Sequence, residues 1–349
     1  MTDRQTEAEN ETEDRPTVRV LLAAHGEAET AGIVENFRIS WHTLAHAAEV
    51  MRLPVLLRLL ICSFAAIRKR LSGRSGSPHN DYSRGQAEAL EGRLNEGSGA
   101  RYRVEAVFAS APPYLETAVA MDNGVDRQVI VNMIPTDSRL SCGLGCHALL
   151  AASEDRDSAV IARFWDSEEL VAVHRDHIIR HYPPELVGQD QCLVLVLHGT
   201  VIRDEHGAVP DFHTGEAEKS AYAAALRDAL LAVPDRSWQR IEIAYLNHGV
   251  GGEWSSPTLE ALLEVLASEG VEATVVYPCE HLVDGGETQE LPSVLEASGL
   301  AKTHCLPCLN VSPGLIDLLA ARVRQVESAQ QSRYLCDACP LRNGNGGTA

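Results

Sequence analysis

The chain has 349 residues, of which 30 are Lys or Arg and 49 are Asp or Glu, so its formal charge at pH 7 is -19. With 45% hydrophobic residues, this profile indicates a globular protein with room for two domains and excludes a mainly disordered, collagen-like or coiled-coil chain. The acidic balance also disfavours nucleic acid as a partner, because a phosphate backbone would be repelled.

The first 15 residues are polar and acidic and have neither the basic nor the apolar segment of an export signal, so we expect a disordered tail over residues 1–15. The apolar stretch over residues 50–70 is interrupted by Arg52, Pro54 and Arg58 and is too short to span a membrane. It favours an amphipathic helix, here called the lip helix, that faces a lipid or a substrate. An ordinary buried helix is the alternative.

Two short apolar runs end in the same dipeptide, His-Gly. Residues 18–26 read VRVLLAAHG and residues 192–199 read CLVLVLHG, each typical of a buried parallel strand that opens one half of the chain. Further strands are predicted over residues 102–108, 127–133, 240–245 and 273–277. Helices are predicted over residues 84–94, 113–121, 217–231, 257–269 and 312–326, several of which begin at Pro or Ser.

This alternation predicts an α/β fold of two similar doubly wound, Rossmann-like parallel-sheet domains that face an interdomain cleft. The repeat length of about 175 residues indicates domain duplication rather than a solenoid. We expect an N-terminal domain over residues 16–165, a C-terminal domain over residues 166–326 and a cysteine-containing extension over residues 327–349.

Both His-Gly pairs lie where such folds bind ligands. Binding occurs outside the carboxyl ends of parallel strands, so we expect His25 and His198 on opposite sides of the cleft. A purely structural role is the alternative for either histidine alone, but the recurrence at the same place in both halves favours function.

Carboxylates recur at intervals of three after the last of these strands, at Asp284, Glu287 and Glu290. If the segment is helical, they form a ladder along one side, which suits the passage of protons or of a hydrated cation. A solvated acidic helix face is the alternative.

Segments distributed in order over nearly the whole chain resemble the motifs of one enzyme family. In the first half, LLAAHGEAET, SGSPHNDYSRGQAEAL and SCGLGCHALLAA resemble its first strand and turn, its GGGSP segment and its SCSTTGSSLNAI segment. In the second half, LVLHGT, HGAVPDFHTGEAE, EWSSPTLEALL, YPCEHLVDGGET and PCLNVSPGLIDLLA resemble its SAHG, GDPY, PW-x-x-P-T, D-H-x-E-T and LN-x-x-P motifs. The chain therefore resembles a divergent bacterial-type ferrochelatase of the class II chelatase fold, an enzyme that inserts ferrous iron into a porphyrin in haem synthesis.

The resemblance implies a catalytic histidine at His198 and catalytic carboxylates at Glu287 and Asp284, of which Glu287 is the best candidate. His198 would accept a pyrrole proton or ligate the iron substrate, and Glu287 would ligate it or pass protons outward. The predicted substrate-binding residues are His25, Trp254, Ser77 and Pro78.

The chain also departs from the family motifs. D-H-x-E fits two registers, one on residues 284–287, which lacks the histidine, and one on residues 280–283, which lacks the glutamate but makes His281 a second imidazole. In the first half, FASAPP replaces MRYxHP and IPT replaces YPQ, which leaves metal delivery from that side in question.

Nine cysteines without an export signal favour reduced thiols or metal ligands and a cytoplasmic location, with peripheral membrane attachment left open. Some ferrochelatases bind a [2Fe-2S] cluster through one cysteine in the SCSTTG-like segment and three near the C-terminus. The resemblance implies Cys142, Cys336 and Cys339 as ligands, with Cys146 in place of the absent last cysteine.

Two alternatives remain for the cysteines. The two CxxC pairs, Cys305 with Cys308 and Cys336 with Cys339, have the spacing of a structural zinc site. Uncoordinated thiols are the other alternative.

The leading hypothesis for function is ferrochelatase-like insertion of Fe²⁺ into a porphyrin. The alternatives are a cobalt or nickel chelatase that acts on a sirohydrochlorin-type ring and a non-catalytic porphyrin or haem binder. The predicted partners are porphyrin and ferrous iron but not nucleic acid, with a membrane surface and a second copy of the chain as further candidates.

Overall fold

A computed structural model describes residues 15–50, 53–71, 76–121, 124–151, 157–186, 191–234, 238–247 and 251–328. Most of the predicted N-terminal tail and of the C-terminal extension lies outside the described residues. Cys336 and Cys339 are among the residues outside them.

Two four-stranded parallel sheets form the centre of the molecule. The first half supplies β1 (Thr17–Ala24), β2 (Arg101–Phe108), β3 (Arg127–Asn132) and β4 (Ser158–Ile161). The second half supplies β5 (Gln191–His198), β6 (Val201–Arg203), β7 (Arg240–Leu246), β8 (Glu253–Trp254), β9 (Ala273–Pro278) and β10 (Lys302–Cys305). The strand orders are β2-β1-β3-β4 and β10-β9-β5-β7, while β6 and β8 pair separately as a short antiparallel ribbon.

The two sheets have the same topology. In each, the first strand of the half lies between its second and its third, and the fourth lies beyond the third. All of these pairings are parallel. The prediction of two similar doubly wound parallel sheets is therefore confirmed, and β1 and β5 occupy the position where the strand order reverses.

Ten helices are described around these sheets. They are α1 (Ile33–Val50), α2 (Val55–Leu71), α3 (His79–Asn95), α4 (Leu115–Ala120), α5 (Cys142–Ala151), α6 (Glu168–His181), α7 (Glu216–Leu231), α8 (Leu259–Glu269), α9 (Leu291–Ala297) and α10 (Pro313–Ser328). The predicted helices correspond to α3, α4, α7, α8 and α10. The sequence did not predict α1, α5, α6 and α9. In α6, histidines occupy part of the buried face where a helical pattern would show apolar residues.

The two halves share one apolar core. The largest cluster of buried residues contains strands of both sheets together with Leu315, Leu319 and Val323 of α10. The last helix packs back against α3 of the first half, where Arg93 Nε donates to Asp317 Oδ1 at 2.7 Å. Gln86 Nε2 donates to the Asn310 carbonyl at 2.7 Å just before α10 begins. These contacts tie the walls of the cleft to each other.

The predicted lip helix corresponds to α2, and it is not an ordinary buried helix. Its buried stripe is narrow and centres on Cys62 and Ala66. Several of its large apolar side chains are exposed, including Leu56, Leu60 and Phe64 at 70%, 62% and 69%. Among the described residues, no helix has the length and apolar content needed to cross a bilayer.

A buried histidine joins α6 to the second sheet. The His174 side chain is fully buried, and its Nδ1 shares a hydrogen bond of 2.5 Å with the Tyr277 hydroxyl at the end of β9. Burial lowers the pKa of His174 to about 3, with a smaller contribution from His177 one turn later. The imidazole is therefore neutral in the folded protein at neutral pH.

Replacing His174 by Gln is expected to flatten the pH dependence of stability. In the wild type below about pH 6.5, His174 is protonated in the unfolded chain but stays neutral in the folded protein. The free energy of unfolding that depends on the neutral His174 is therefore fully present above that pH and is lost as the pH falls toward 3. The loss amounts to about 1.4 kcal/mol per pH unit. Urea titrations between about pH 5 and pH 7 measure the slope. His206→Gln, at an exposed residue, is the control, and a wild-type slope in His174→Gln would contradict the prediction.

Candidate active site

Polar side chains collect at the carboxyl ends of the central strands. β5 ends at His198, and β9 leads directly into a segment that contains Glu280, His281 and Glu287. From the first half, Glu27 follows the carboxyl end of β1 and reaches the same segment. The site therefore lies between the two halves, at the edge where ligands of doubly wound sheets bind.

The hydrogen bonds of His198 fix its tautomer. Its Nδ1 lies 2.7 Å from the carbonyl oxygen of Gly199, which can only accept, so Nδ1 carries the hydrogen and donates it. In its neutral form the imidazole then presents an unprotonated Nε2, and this atom lies 3.6 Å from Glu287 Oε1. Gly199 is required here, because a Cβ would lie 1.7 Å from the Asn247 side-chain oxygen. This arrangement supplies a base at Nε2.

Glu287 lies between two imidazoles. One carboxylate oxygen faces His198 and the other lies 3.0 Å from His281 Nε2. Burial lowers the pKa of His281, but the hydrogen bond and charge of Glu287, supported by Glu280 and Glu27, outweigh it and raise the pKa overall. The Glu287 side chain is 34% exposed, so solvent or a ligand can reach this carboxylate.

The structure brings together residues from both registers of the family motif. Residues 282–286 stand between His281 and Glu287, where D-H-x-E has a single residue. These residues loop out, and the imidazole and the carboxylate meet at 3.0 Å. The geometry favours a correspondence of Glu280 and His281 with one part of the motif and of Glu287 and Thr288 with the other, in which four residues of the loop, here called the insertion, are additional; this correspondence stays a prediction.

The expectation of a helical carboxylate ladder is wrong. Residues 279–287 form turns, and helical structure begins only at the short 3₁₀ turn Thr288–Glu290. Within the looped segment, Asp284 Oδ2 accepts a hydrogen bond from Asn310 Nδ2 at 2.7 Å and Oδ1 accepts one from the Cys308 backbone at 3.2 Å. The Asp284 backbone donates to Asn310 Oδ1 at 2.9 Å. Asp284 thus anchors the insertion, and no ladder links it to Glu287.

A buried ion pair lies directly behind His198. Glu280, only 5% exposed, accepts hydrogen bonds from Lys219 Nζ of α7, from the Thr136 hydroxyl and, at 2.9 Å, from the His198 backbone. Burial raises the pKa of Glu280, but the charge and hydrogen bond of Lys219, with that of Thr136, outweigh it and hold the pKa below its usual value. Thr136 belongs to the IPT segment of the first half, which stands where the family has YPQ. Through its hydrogen bond to Glu280, this segment still contacts the second half.

Sequence reasoning missed Lys219 and Glu280. The available signal was a lysine within a helix of small apolar residues, in a chain that has only three lysines, at positions 69, 219 and 302. Nothing in the sequence paired it with Glu280, which lies 61 positions away.

The predicted substrate-binding residues of the first half lie on the side of the site opposite the second half. His25 follows β1 and is exposed. The Ser77 backbone donates to the Ala28 carbonyl at 2.8 Å, and Pro78 immediately precedes α3, so both join that helix to the segment after β1. Burial, opposed by Glu27 and aided by His25, lowers the pKa of the next residue, His79. The substrate-binding roles of His25, Ser77 and Pro78 stay predictions.

Trp254 lies on the ribbon that follows His198. It is the last residue of β8, where it pairs with Val201 of β6, and its Nε1 donates to the Gly251 carbonyl at 3.0 Å. The side chain is half-buried. Its partner Val201 follows His198 by three residues, so the ribbon holds Trp254 next to the segment that leaves His198. Contact of Trp254 with a porphyrin stays a prediction.

A cleft of about 840 Å³ opens beside Glu27. All of its lining residues belong to the first half. Apolar residues of α1 and of the loop after β2 alternate there with the carboxylates of Glu27, Glu29 and Glu35 and with the guanidinium groups of Arg38 and Arg70. The apolar residues suit a flat hydrophobic ligand, and the two guanidinium groups can pair with its carboxylates.

The described cysteines occupy apolar surroundings or local hydrogen bonds. Cys142, at the start of α5, donates its thiol to the Ser138 carbonyl at 3.7 Å, and Cys146 packs one turn later against an apolar cluster. Burial raises the pKa of Cys305 to about 12 and that of Cys308 well above its usual value, so both are thiols. Over the described ranges, no group of three or more His, Cys, Asp or Glu residues is arranged to hold a metal ion.

Comparison with known proteins identifies the family. A sequence model of the ferrochelatases matches residues 17–327, nearly the whole described chain. The chain belongs to the ferrochelatase family. A ferrochelatase of Neisseria meningitidis serogroup C is 24% identical over 88% of this chain and 93% of its own, and one of Synechococcus elongatus is 27% identical over 82% and 76%.

One solved structure is similar to this chain over most of the length of both. The structure of CbiX, the terminal enzyme for biosynthesis of siroheme in denitrifying bacteria, covers 88% of this ferrochelatase-family chain and 98% of its own. Its TM-score is 0.49 and its sequence identity is 13%. A match at this level carries no argument about the function of the ferrochelatase-family chain.

Replacing Lys219 by Met is expected to lower the free energy of unfolding by about 3–5 kcal/mol, because Glu280 would stay buried without a compensating charge. Chemical denaturation measures the change. Lys302→Met, the same substitution at an exposed residue of β10, is the control and should alter stability by less than about 0.5 kcal/mol. Equal stability of the two variants would contradict the assignment of a stabilising buried pair.

Proposed function

We propose that the protein is a metal chelatase, a lyase that inserts ferrous iron into a porphyrin in haem biosynthesis, with His198 and Glu287 at the reacting centre. The observation that carries the proposal is the meeting of His198 Nε2 with the Glu287 carboxylate at the carboxyl ends of the central strands, with His198 Nδ1 held as a donor by the Gly199 carbonyl. Membership of the ferrochelatase family supports the reaction itself.

The chemistry requires a base and an anion at one place. Insertion of Fe²⁺ into a neutral porphyrin releases two pyrrole protons and gives an uncharged metalloporphyrin. In the proposal, His198 Nε2 takes one proton while Glu287 balances the positive charge and serves as an oxygen ligand for the incoming iron. Imidazole nitrogen and carboxylate oxygen are both donors that ferrous iron accepts.

Glu287 is held from its other side by His281. His281 Nε2 lies 3.0 Å from the second oxygen of Glu287 and donates its hydrogen to that carboxylate. In the proposal, His281 therefore orients Glu287, which is 34% exposed and passes the second pyrrole proton to solvent, and Asp284 holds the insertion in place rather than carrying protons.

The porphyrin is proposed to enter the cleft of about 840 Å³. Its carboxylates would pair with Arg38 and Arg70, and its ring would lie against the apolar residues of α1. In this arrangement His25 and Ser77 contribute to the first-half wall, and Trp254 offers an aromatic face from the second half.

His198→Ala and Glu287→Gln are each expected to lower kcat for anaerobic Fe²⁺ insertion by about 10²- to 10⁴-fold, because each removes a group that handles a proton or the cation. Protoporphyrin IX and coproporphyrin III are the substrates, and formation of the metalloporphyrin band is the measurement. His206→Ala and Glu264→Gln, both at exposed residues, are matched controls that should keep wild-type activity.

Other outcomes discriminate the alternatives. Insertion of cobalt or nickel into a sirohydrochlorin-type ring, without turnover of either porphyrin, would favour the other chelatase class. Porphyrin binding without turnover of any ring would favour the non-catalytic binder. Wild-type rates in both active-site variants would contradict the roles of His198 and Glu287.

The [2Fe-2S] cluster rests on motif resemblance alone. In the described part of the chain, local contacts account for the thiols of Cys142 and Cys146, and the other two proposed ligands lie outside it. A visible spectrum of the anaerobically purified protein, with iron and acid-labile sulfide analysis, tests the cluster against the zinc alternative. No step of the proposed reaction uses the cluster.

We further propose that α2 contacts an anionic membrane surface, while a homodimer stays a prediction without structural support. The exposed Leu56, Leu60 and Phe64 recur every four residues along one side of the helix, and basic residues fill its last turn. An apolar face beside basic groups suits a bilayer with anionic head groups, although the protein as a whole is acidic.

Phe64→Glu is expected to weaken binding to vesicles that contain anionic phospholipid by about tenfold or more, because a charge would enter the apolar contact. Vesicle sedimentation measures the bound fraction. Val209→Glu, at a 73% exposed residue far along the chain, is the control. Equal binding by both variants would contradict contact through α2.

A further inference from the structure

The side chain of Glu27, a residue of the first half, contacts the second half. Glu27 lies two residues after His25 on the first half, yet its Oε2 accepts a hydrogen bond of 2.7 Å from the Gly286 backbone of the second half. Gly286 immediately precedes Glu287, so this contact lies one residue from the proposed catalytic carboxylate. No motif of the sequence singled out Glu27.

The backbone of Glu27 is held in place on both sides. Asn80, which is 2% exposed at the start of α3, accepts from the Glu27 backbone at 2.9 Å through Oδ1 and donates to the Glu27 carbonyl at 2.8 Å through Nδ2. A paired amide of this kind leaves the residue little freedom to rotate away. The side chain therefore projects toward the second half from a fixed base.

The two glycines of the insertion leave room for the Glu27 carboxylate. A Cβ on Gly285 would lie 2.9 Å from Glu27 Oε1, and one on Gly286 would lie 3.0 Å from Oε2. The Gly-Gly pair thus permits an approach that larger residues would obstruct. On its other side the insertion is anchored by Asp284 and Asn310.

We propose that Glu27 is a positioning residue that clasps the Gly285–Gly286 turn from the opposite wall and thereby holds Glu287 between His198 and His281. With its Asp284 side bound to the second half and its Gly286 side bound to Glu27, the insertion is fixed at both ends. The clasp offsets the freedom that the four extra residues would otherwise give to Glu287. Its catalytic consequence rests on the proposed function, whereas the contact itself does not.

The proposed contact of Glu27 with the Gly285–Gly286 turn predicts different effects for two substitutions of Glu27. Glu27→Ala removes the acceptor, and kcat for Fe²⁺ insertion should fall about 10- to 100-fold, as when a catalytic group is displaced by about 1 Å. Glu27→Gln keeps an oxygen acceptor at the same reach and should recover most of the rate. Glu88→Ala, at an exposed residue of α3, is the control.

A double variant tests whether Glu27 acts through Glu287. In the Glu287→Gln background, Glu27→Ala should cost less than about twofold, because the group that it positions is already impaired. Gly285→Ala should reproduce the loss of Glu27→Ala in the wild-type background and add little to it in combination. Additive losses in these pairs would overturn the positioning role.

Hydrogen–deuterium exchange separates this proposal from the proposed function. The peptide that covers residues 283–288 should exchange at least about tenfold faster at the Gly286 amide in Glu27→Ala and close to the wild-type rate in Glu27→Gln. This holds whether or not the protein metallates a porphyrin. Unchanged exchange in a folded Glu27→Ala variant would overturn the clasp, and absence of turnover with accelerated exchange would overturn only the proposed reaction.

Discussion

One buried carboxylate sets the geometry on which the candidate site depends. Glu280 receives Lys219 from α7, Thr136 from the first half and the backbone of His198 at the end of β5. A carboxylate in this position is stable only while each of these donors stays in place. The requirement fixes the end of β5, the start of the catalytic segment and the facing loop of the first half relative to one another.

Around that point, the protein combines the ends of parallel strands with a looped segment at the candidate site. The strand ends supply His198 and His281 directly, whereas Glu287 arrives through an insertion that would be loose if it were unattached. Asp284 and Glu27 bind the insertion from opposite sides. Asp284, which family resemblance places in the catalytic machinery, thus holds this segment to Asn310 of the second half, and Glu27 holds it from the first half.

The sequence predicted the sheets well because buried parallel strands leave a local signal. The apolar runs before His25 and His198 indicated both central strands, and the repeated His-Gly indicated the shared topology. The loop over residues 279–287 was not predictable in the same way, because D-H-x-E fits two registers of the sequence and is incomplete in either. Contacts such as Lys219 with Glu280 join distant parts of the chain, and no local pattern encodes them.

The packing of α10 has a consequence for the order in which the chain folds during synthesis. Leu315, Leu319 and Val323 fill a core that also contains strands of the first half, and α10 covers α3. Because α10 follows both sheets in the chain, the first half keeps an uncovered apolar face during synthesis until this helix has left the ribosome. Completion of the N-terminal half is therefore coupled to emergence of the C-terminal segment, and a chain truncated before α10 would expose that face to aggregation.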